Sequence, residues 1–154
     1  MTSATTPKTV DLGDACRHIR REAVAGGAIT PGMLMRGPDS AGEVLVHNQA
    51  DNIAEGMFAL EFDKTGRTIA DAYAADDQVE YGVFPQGARV YAWLQSGQNI
   101  TKGALLTSSG DGRLKVAGNT SFVVARALES VDASGAAARI RVEVMLGKAA
   151  ASAN

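Results

Sequence analysis

The chain has 154 residues, enough for one domain with a hydrophobic core, and its formal net charge of −2 gives no overall attraction to nucleic acid or to an anionic membrane surface. The single cysteine, Cys16, excludes an intrachain disulfide and a cysteine-based zinc cluster. No apolar run approaches the roughly 20 residues of a membrane-spanning helix, and the N-terminus lacks the apolar core of a signal peptide, so we expect a soluble protein made in the cytoplasm.

The first part of the chain is polar and lacks a strong apolar pattern. Residues 1–9 contain Pro7 and have nothing to bury, so we predict a flexible arm, or one that becomes ordered on a partner. Residues 10–25 fit both a helical face and a two-residue period. We favour an extended segment there, with a short helix as the alternative.

A dense basic cluster lies within this segment and consists of Arg17, His18, Arg20 and Arg21. A solvated strand face is the simplest interpretation of such a cluster. Contact with an acidic protein surface is the second interpretation, and contact with nucleic acid is the third.

The middle of the chain predicts short strands separated by turns. Residues 29–35 and 44–47 form a hairpin, and residues 57–63 form a strand that ends in a turn. Residues 69–77 suit one or two helical turns or a wrapped loop.

Acidic side chains follow this stretch at Asp76, Asp77 and Glu80. They could contact a divalent cation, but they lack the alternating ligands and the glycine of a calcium loop. We therefore favour a solvated acidic turn.

The second half of the chain opens with residues 79–84 and 89–94, which both alternate as strands do. In the second of these strands Tyr91 and Trp93 share one face, and the smaller apolar residues share the other. The last predicted strands are residues 122–129 and 140–145, separated by a loop at residues 132–135.

Two stretches of the chain repeat the same spacing of glycine, isoleucine, threonine and leucine. Each pair of matching residues is 71 positions apart. The pairs are Gly26 and Gly97, Ile29 and Ile100, Thr30 and Thr101, Gly32 and Gly103, and Leu34 and Leu105. The match continues with a shift of one residue from Gly42-Glu43-Val44 to Gly112-Arg113-Leu114, and further on from residues 59–61 to residues 127–129. We interpret this as one β unit used twice.

These patterns predict an all-β fold. With 17 glycines and 5% aromatic residues, the composition favours turns and small strand residues. We expect a compact barrel or sandwich built from two related β-hairpin units, with at most one or two short helices. We divide the chain into an N-terminal arm, residues 1–19, a single β domain, residues 20–147, and a flexible tail, residues 148–154.

The sequence offers little catalytic chemistry. His18 and His47 lie in unlike contexts, and neither belongs to a metal-binding pattern. His47 and Asp51 could act as a base and the group that orients it, although a polar hairpin end is the simpler interpretation. No nucleophile elbow, phosphate-binding loop or dinucleotide fingerprint is present. We therefore predict a binding or structural module that is not an enzyme and uses no cofactor or metal.

A resemblance extends over residues 20–145. The motifs that carry it are, in chain order, residues 21–34 (REAVAGGAITPGML), Gly42-x-Val44 and His47, residues 58–61 (FALE), Asp71-Ala-Tyr73, Asp77-x-Val79, Gly97-x-x-Ile100-x-x-Gly103, and residues 139–144 (RIRVEV). In their order and spacing they resemble the head decoration, or capsid cement, proteins of tailed bacteriophages.

This resemblance implies a β-tulip domain that forms a homotrimer on the outer surface of the virion. Such a trimer sits at threefold and quasi-threefold positions, where it clamps subunits of the major capsid protein, and it needs neither nucleic acid nor a membrane. The N-terminal arm of such proteins reaches the capsid. We therefore assign capsid contact to Thr5, Thr6, Lys8, Val10, Arg17, Arg20 and Arg21. We assign the trimer contact to Tyr91 and Trp93.

Two other functions fit the same residues. Tyr91 and Trp93 could stack on a sugar, as in a carbohydrate- or cell-surface-binding β module displayed on a particle. The repeated glycine-spaced unit also fits a β-clip-like accessory domain of an enzyme, in which His47 and Asp51 would matter.

Overall fold

The structure is a computed structural model that describes residues 5–13 and 18–148. Within these residues it contains twelve strands and one turn of 3-10 helix, Asp63–Thr65, so the all-β prediction is confirmed. The strands are β1 Ile19–Val24, β2 Leu34–Arg36, β3 Leu45–Val46, β4 Met57–Ala59, β5 Gln78–Val83, β6 Arg89–Leu94, β7 Gln98–Ile100, β8 Leu105–Ser108, β9 Leu114–Val116, β10 Phe122–Ala127, β11 Val131–Ala133 and β12 Ala138–Lys148. None of the described helical segments is long and apolar enough to cross a membrane.

The strands form two units with the same topology. Unit 1 is a five-stranded sheet in the order β1-β5-β4-β2-β3. Unit 2 is a closed barrel that, read from β6, runs β6-β12-β10-β8-β9. Strands β7 and β11 pair only with each other. When the other five strands of each unit are counted in chain order, both units have the same spatial order: first, fifth, fourth, second, third.

In each unit a parallel pairing at the end of the first strand joins it to the third strand. In unit 2, Leu94 of β6 pairs with Leu114 of β9, which closes the barrel. In unit 1 an isolated parallel bridge joins Ala25, directly after β1, to Val44, directly before β3. Matching hydrogen bonds support the equivalence, because Gly26 N donates to Val44 O and Gln95 N donates to Leu114 O, both at 2.9 Å.

The aligned residues of the sequence repeat also make the same backbone hydrogen bonds. Gly32 N donates to Ala59 O at 2.8 Å, and its counterpart Gly103 N donates to Ala127 O at 2.8 Å. The turns before them match as well: Met33 N to Thr30 O and Ala104 N to Thr101 O are both 3.0 Å. Leu60 N to Glu80 O and Leu128 N to Arg141 O are both 2.9 Å. The predicted pair of related units is therefore confirmed at the level of individual hydrogen bonds.

The alternation in β6 determines which of its faces enters the core. Val90, Ala92 and Leu94 are completely buried, whereas Tyr91 and Trp93 are half-buried on the other face. The buried apolar residues form two clusters. The larger core cluster contains these three residues of β6 together with Leu34 and other apolar residues of unit 1. The two units therefore pack together through a shared apolar core.

Three predictions about local structure can be compared with the structure. Residues 69–77 follow the wrapped-loop alternative and form no helix: Tyr73 pairs with Ile29 as an isolated bridge, and its hydroxyl donates to Leu60 O at 2.6 Å. Residues 131–133 form strand β11 on β7, where we expected the start of a loop. Of the predicted tail, residues 148–154, Lys148 is the last residue of β12 and the rest lies outside the described residues.

Candidate functional site

Strand β1 carries the basic cluster along an exposed edge of unit 1. The residues from Ile19 to Glu22 are all exposed, and β1 pairs with β5 on one side. Arg20, Arg21, Glu22, Lys64 and Glu80 line an open hollow of about 340 Å³ beside this strand. Arg17, which completes the predicted cluster, lies outside the described residues.

A buried carboxylate anchors this surface. Glu80 is only 1% exposed, and its Oε1 accepts a hydrogen bond from Arg20 Nε at 2.7 Å. Its other oxygen, Oε2, makes no hydrogen bond within the described part of the chain. A buried charge is costly unless it is paired, so Arg20 is held in place by a group beneath it. The expected solvated acidic turn is therefore wrong for Glu80, because β5 is buried on both faces at this position.

The other charges of this surface are mostly paired near the solvent. Lys64 Nζ lies 3.3 Å from Glu22 Oε1, and Arg20 Nη2 lies 3.9 Å from Asp63. Exposed pairs of this kind contribute little to stability. Arg21 has no ion-pair partner among the described residues, so its charge is available to a partner molecule.

The described N-terminal segment, residues 5–13, packs along unit 2. Tyr91 N donates to Val10 O at 2.8 Å, and Leu12 N donates to Arg89 O at 3.2 Å. Between these bonds Asp11 forms an antiparallel bridge with Val90. The segment is therefore an additional short strand on the edge of β6.

The residues of this segment that we assigned to capsid contact differ in their exposure. Thr5, Thr6 and Lys8 are exposed, whereas Val10 is completely buried in the larger core cluster. The assignment of Val10 to capsid contact needs correction, because an apolar side chain that fills the protein's own core presents no surface to a partner. The Thr9 hydroxyl donates to Glu61, which also accepts a hydrogen bond from Val10 N at 3.1 Å.

The N-terminal segment and the start of β1 meet at a small cleft. His18 Nδ1 lies 3.2 Å from Asp11 Oδ2, and the His18 ring stacks on Phe84 with 4.6 Å between the ring centres. Thr9 of the segment and Arg20 of β1 line the same hollow of about 100 Å³. The structure thus brings residues 9–11 of the segment next to the start of the basic strand, whereas the Thr5 carbonyl accepts a hydrogen bond from Arg141 of β12 at 2.6 Å.

Tyr91 and Trp93 lie at the junction of the two units. The Trp93 indole Nε1–H donates to Pro31 O at 3.0 Å. The guanidinium carbon of Arg139 lies 4.4 Å from the Trp93 ring centre and 5.7 Å from the Tyr91 ring centre. These contacts hold both half-buried rings against the chain, with Arg139 over one face of each.

His47 and Asp51 do not form the base and orienter considered from the sequence. The His47 Nε2–H donates to Ile53 O at 2.8 Å, which leaves Nδ1 to accept from the Ser108 hydroxyl at 2.7 Å. Ser108 is completely buried and also accepts from Gly110 N at 3.1 Å. The arrangement supports a structural role, in which His47 ties the loop after β3 to β8.

Asp51 has partners of its own. Its carboxylate accepts hydrogen bonds from Lys115 Nζ at 2.8 Å and from the Ser121 hydroxyl at 2.6 Å. These bonds, first from Lys115 and then from Ser121, hold the pKa of Asp51 below its ordinary value. Asp51 adopts a left-handed backbone with φ of 62°, which aspartate tolerates better than most residues. Among the described residues no group of three or more acidic, histidine or cysteine side chains could hold a metal ion.

Sequence reasoning missed Glu80 as the anchor of Arg20 and Arg139 as the cover of the two aromatic rings. The only local signal for Glu80 was a charged residue at the centre of an otherwise apolar strand, residues 78–83. Arg139 had no local signal, because its contacts with Trp93 and Ile69 span 46 and 70 positions.

No protein-family model matches this chain, and no curated protein matches it. Its fold is similar to a solved structure, the crystal structure of the head fiber gp8.5 N base in bacteriophage phi29, with a TM-score of 0.59. The alignment covers 86% of this chain and 98% of that chain, at 13% sequence identity. At this level of identity the likeness shows a shared fold.

Proposed function

We propose that this protein is a structural protein of a phage head, located on the outer surface of the capsid and made in the host cytoplasm. The observation that carries the proposal is the fold shared with a phage head fiber base over 86% of the chain. The resemblance to head decoration proteins, which rests on different information, points to the same class.

The finer proposal is that the protein stabilises the head by clamping neighbouring subunits of the major capsid protein. A protein that binds only the assembled lattice stabilises that lattice by mass action. A homotrimer at a threefold position would engage three equivalent capsid sites, and each later contact would then be intramolecular, which raises the overall affinity. The function requires no catalytic residue, cofactor, nucleic acid or membrane.

The surface that we propose for capsid contact combines the exposed side chains of the N-terminal segment with the basic strand. Thr5, Thr6 and Lys8 contribute from the segment, and Arg20 and Arg21 contribute from β1. Arg20 is held by Glu80, which compensates its charge, and Arg21 has no ion-pair partner among the described residues, so the uncompensated positive charge of β1 is that of Arg21.

Co-sedimentation with phage heads that lack the protein tests this function. We expect saturable binding of the full-length protein to such heads, and heads in the expanded and unexpanded states should be compared. Lys8→Glu and Arg21→Glu should weaken binding, whereas Arg126→Glu, a charge reversal outside the proposed surface, should not. Failure of the unmodified protein to bind either form of head would refute the proposal.

Binding could also be tested with a truncated protein that begins at Ala15 and lacks the N-terminal segment. Point substitutions suit the experiment better than this truncation. Such a truncation removes Val10, which is buried, and the backbone bonds from residues 10–12 to β6. Its loss of binding could therefore reflect lost stability. The exposed side chains can be changed without disturbing that strand.

A further inference from the structure

The outer edge of β1 leaves backbone hydrogen-bonding groups unpaired. At the end of this strand Val24 O accepts a hydrogen bond from Val44 N at 2.9 Å, on the side away from β5. Because backbone groups alternate in direction along an antiparallel strand, the N–H and C=O groups of Glu22 and Arg20 face the same side as those of Val24. No described residue pairs with them there.

The internal repeat identifies the corresponding edge in unit 2. Glu80 and Arg141 occupy equivalent positions, since Leu60 N and Leu128 N donate to their carbonyls. Glu22 lies opposite Glu80, and Tyr91 lies opposite Arg141. By the same register, Glu22 is equivalent to Tyr91, Arg21 to Val90, and Arg20 to Arg89.

In unit 2 this edge is covered. The hydrogen bonds from Tyr91 N to Val10 O and from Leu12 N to Arg89 O use the groups equivalent to Glu22 N–H and Arg20 C=O. The chain's own residues 10–12 therefore occupy on β6 a position that no described residue occupies on β1.

The open edge also exposes apolar side chains. Ile19 is 57% exposed and Val24 is 38% exposed, and both belong to β1. An edge strand with free backbone groups and exposed apolar residues is a ready site for pairing with another strand.

We propose that the outer edge of β1 binds one extended segment of the major capsid protein by antiparallel strand addition. The segment would accept a hydrogen bond from Glu22 N–H and donate one to Arg20 C=O, as residues 10–12 do on β6. Strand addition is a general mode of peptide recognition, in which the backbone bonds give affinity and the side chains give specificity. The inference rests on the proposed function, because that function supplies the partner.

The register also specifies the chemistry of the segment. Asp11 lies opposite Val90, and the residue equivalent to Val90 on β1 is Arg21. Directly opposed residues of an antiparallel pair have neighbouring side chains, and opposite charges there are favourable. Since Arg21 lacks an ion-pair partner among the described residues, the segment should place an acidic side chain opposite it.

A second copy of this chain fits this specification less well than a capsid strand. Its residues 10–12 are already paired with its own β6.

The test compares Glu22→Pro with Glu22→Ala in co-sedimentation with heads that lack the protein. Both substitutions remove the ion pair with Lys64, but only proline removes the outward N–H and places its ring on the pairing edge. Edge strands tolerate proline where the N–H faces outward. We expect Glu22→Ala to bind within about threefold of the unmodified protein, and Glu22→Pro to bind at least about tenfold more weakly.

Arg21→Glu provides a second variant that leaves the backbone groups intact. It should weaken binding at least about fivefold, whereas Arg21→Lys, which keeps the positive charge, should retain most of the affinity. If thermal unfolding shows that Glu22→Pro does not fold, the pair of Arg21 variants tests the register, and equal binding of both would refute the proposed pairing, in which an acidic side chain lies opposite Arg21.

The outcomes separate this inference from the proposed function. Equal binding by the proline and alanine variants, with strong binding by the unmodified protein, would refute strand addition and leave the capsid function intact. Failure of the unmodified protein to bind heads would refute both. If Glu22→Pro changes the oligomeric state in sedimentation equilibrium but not the affinity for heads, the edge binds a second copy and the capsid strand is excluded.

Discussion

Arg20 Nε lies 2.7 Å from Oε1 of Glu80, so a half-exposed cation is held by a carboxylate that is 1% exposed. The pair joins β1 to the interior of unit 1. Because removal of one member of a buried pair leaves the other charge uncompensated, it costs more than removal of both.

We therefore expect Arg20→Ala to lower the free energy of unfolding by about 2 kcal/mol, a value reduced for the exposure of Arg20. Adding Glu80→Gln should recover part of this loss, because the remaining side chain is neutral. Urea unfolding of the two single variants and the double variant measures the coupling. Additive effects would show that the pair contributes nothing.

Gly32 and Gly103 are equivalent glycines of the two units with different surroundings. Both have a positive φ, of 92° and 91°. A Cβ on Gly32 would lie 2.7 Å from Tyr91 O, whereas a Cβ on Gly103 would meet nothing within 4 Å.

Gly103→Ala should therefore cost about 1 kcal/mol of stability through backbone strain alone. Gly32→Ala should cost about 3 kcal/mol or more, because the junction between the units must also move. Chemical denaturation of the two variants checks the difference. Equal losses would mean that the junction adapts freely.

Tyr73 should make the protein sensitive to alkaline pH. Burial raises the pKa of its hydroxyl from 10.0 to about 12. Since the folded state binds this proton more tightly, the stability that Tyr73 contributes is complete below pH 10 and is lost as the pH rises through about 12.

Tyr73→Phe should lower stability at neutral pH by about 1 kcal/mol, through loss of the hydrogen bond to Leu60 O. The difference between the variant and the unmodified protein should shrink above pH 10. Thermal unfolding between pH 7 and pH 11 measures it. A constant difference over this range would contradict the raised pKa.

Asp51 should act in the opposite pH range. Its pKa is lowered from 3.8 by the bonds from Lys115 and Ser121, so its contribution is present above that value and is lost as the pH falls through the lower folded value. Asp51→Asn, which keeps tolerance of the left-handed backbone, should destabilise the protein at pH 7 and have less effect near pH 3. Acid titration followed by circular dichroism tests this, and a pH-independent loss would refute it.

Val10 should contribute to folding although it lies near the start of the chain. Val10→Ala should cost about 1 to 2 kcal/mol, because it removes buried apolar surface and leaves a cavity. Lys8→Ala, two residues earlier and exposed, should stay within about 0.5 kcal/mol of the unmodified protein. Thermal or urea unfolding compares them, and a neutral Val10→Ala would mean that the segment detaches without cost.

The internal repeat was the part of the fold that the sequence predicted best. A glycine with positive φ and a following apolar strand depend on a few adjacent residues, so Gly32 and Gly103 could be matched from their spacing alone. The faces of β6 were predicted for the same reason, since alternation over six residues separates Val90 and Ala92 from Tyr91 and Trp93.

The candidate surface was predicted only in part. The exposed Arg20 and Arg21 could be identified as a basic cluster, but the burial of Val10 and Glu80 could not. Val10 lies in a polar segment and Glu80 follows an acidic loop, so local composition indicated solvent at both positions.

By itself the sequence determined the β class, the repeated unit and the basic strand, because these depend on neighbouring residues and on the period of the backbone. Only the tertiary structure decided that residues 10–12 cover the edge of β6 while the equivalent edge of β1 stays open. The two edges differ because the chain has two similar units but one N-terminal segment, which pairs with β6 of unit 2. Which unit it covers depends on packing between residues far apart in the chain, such as Val10 and Tyr91.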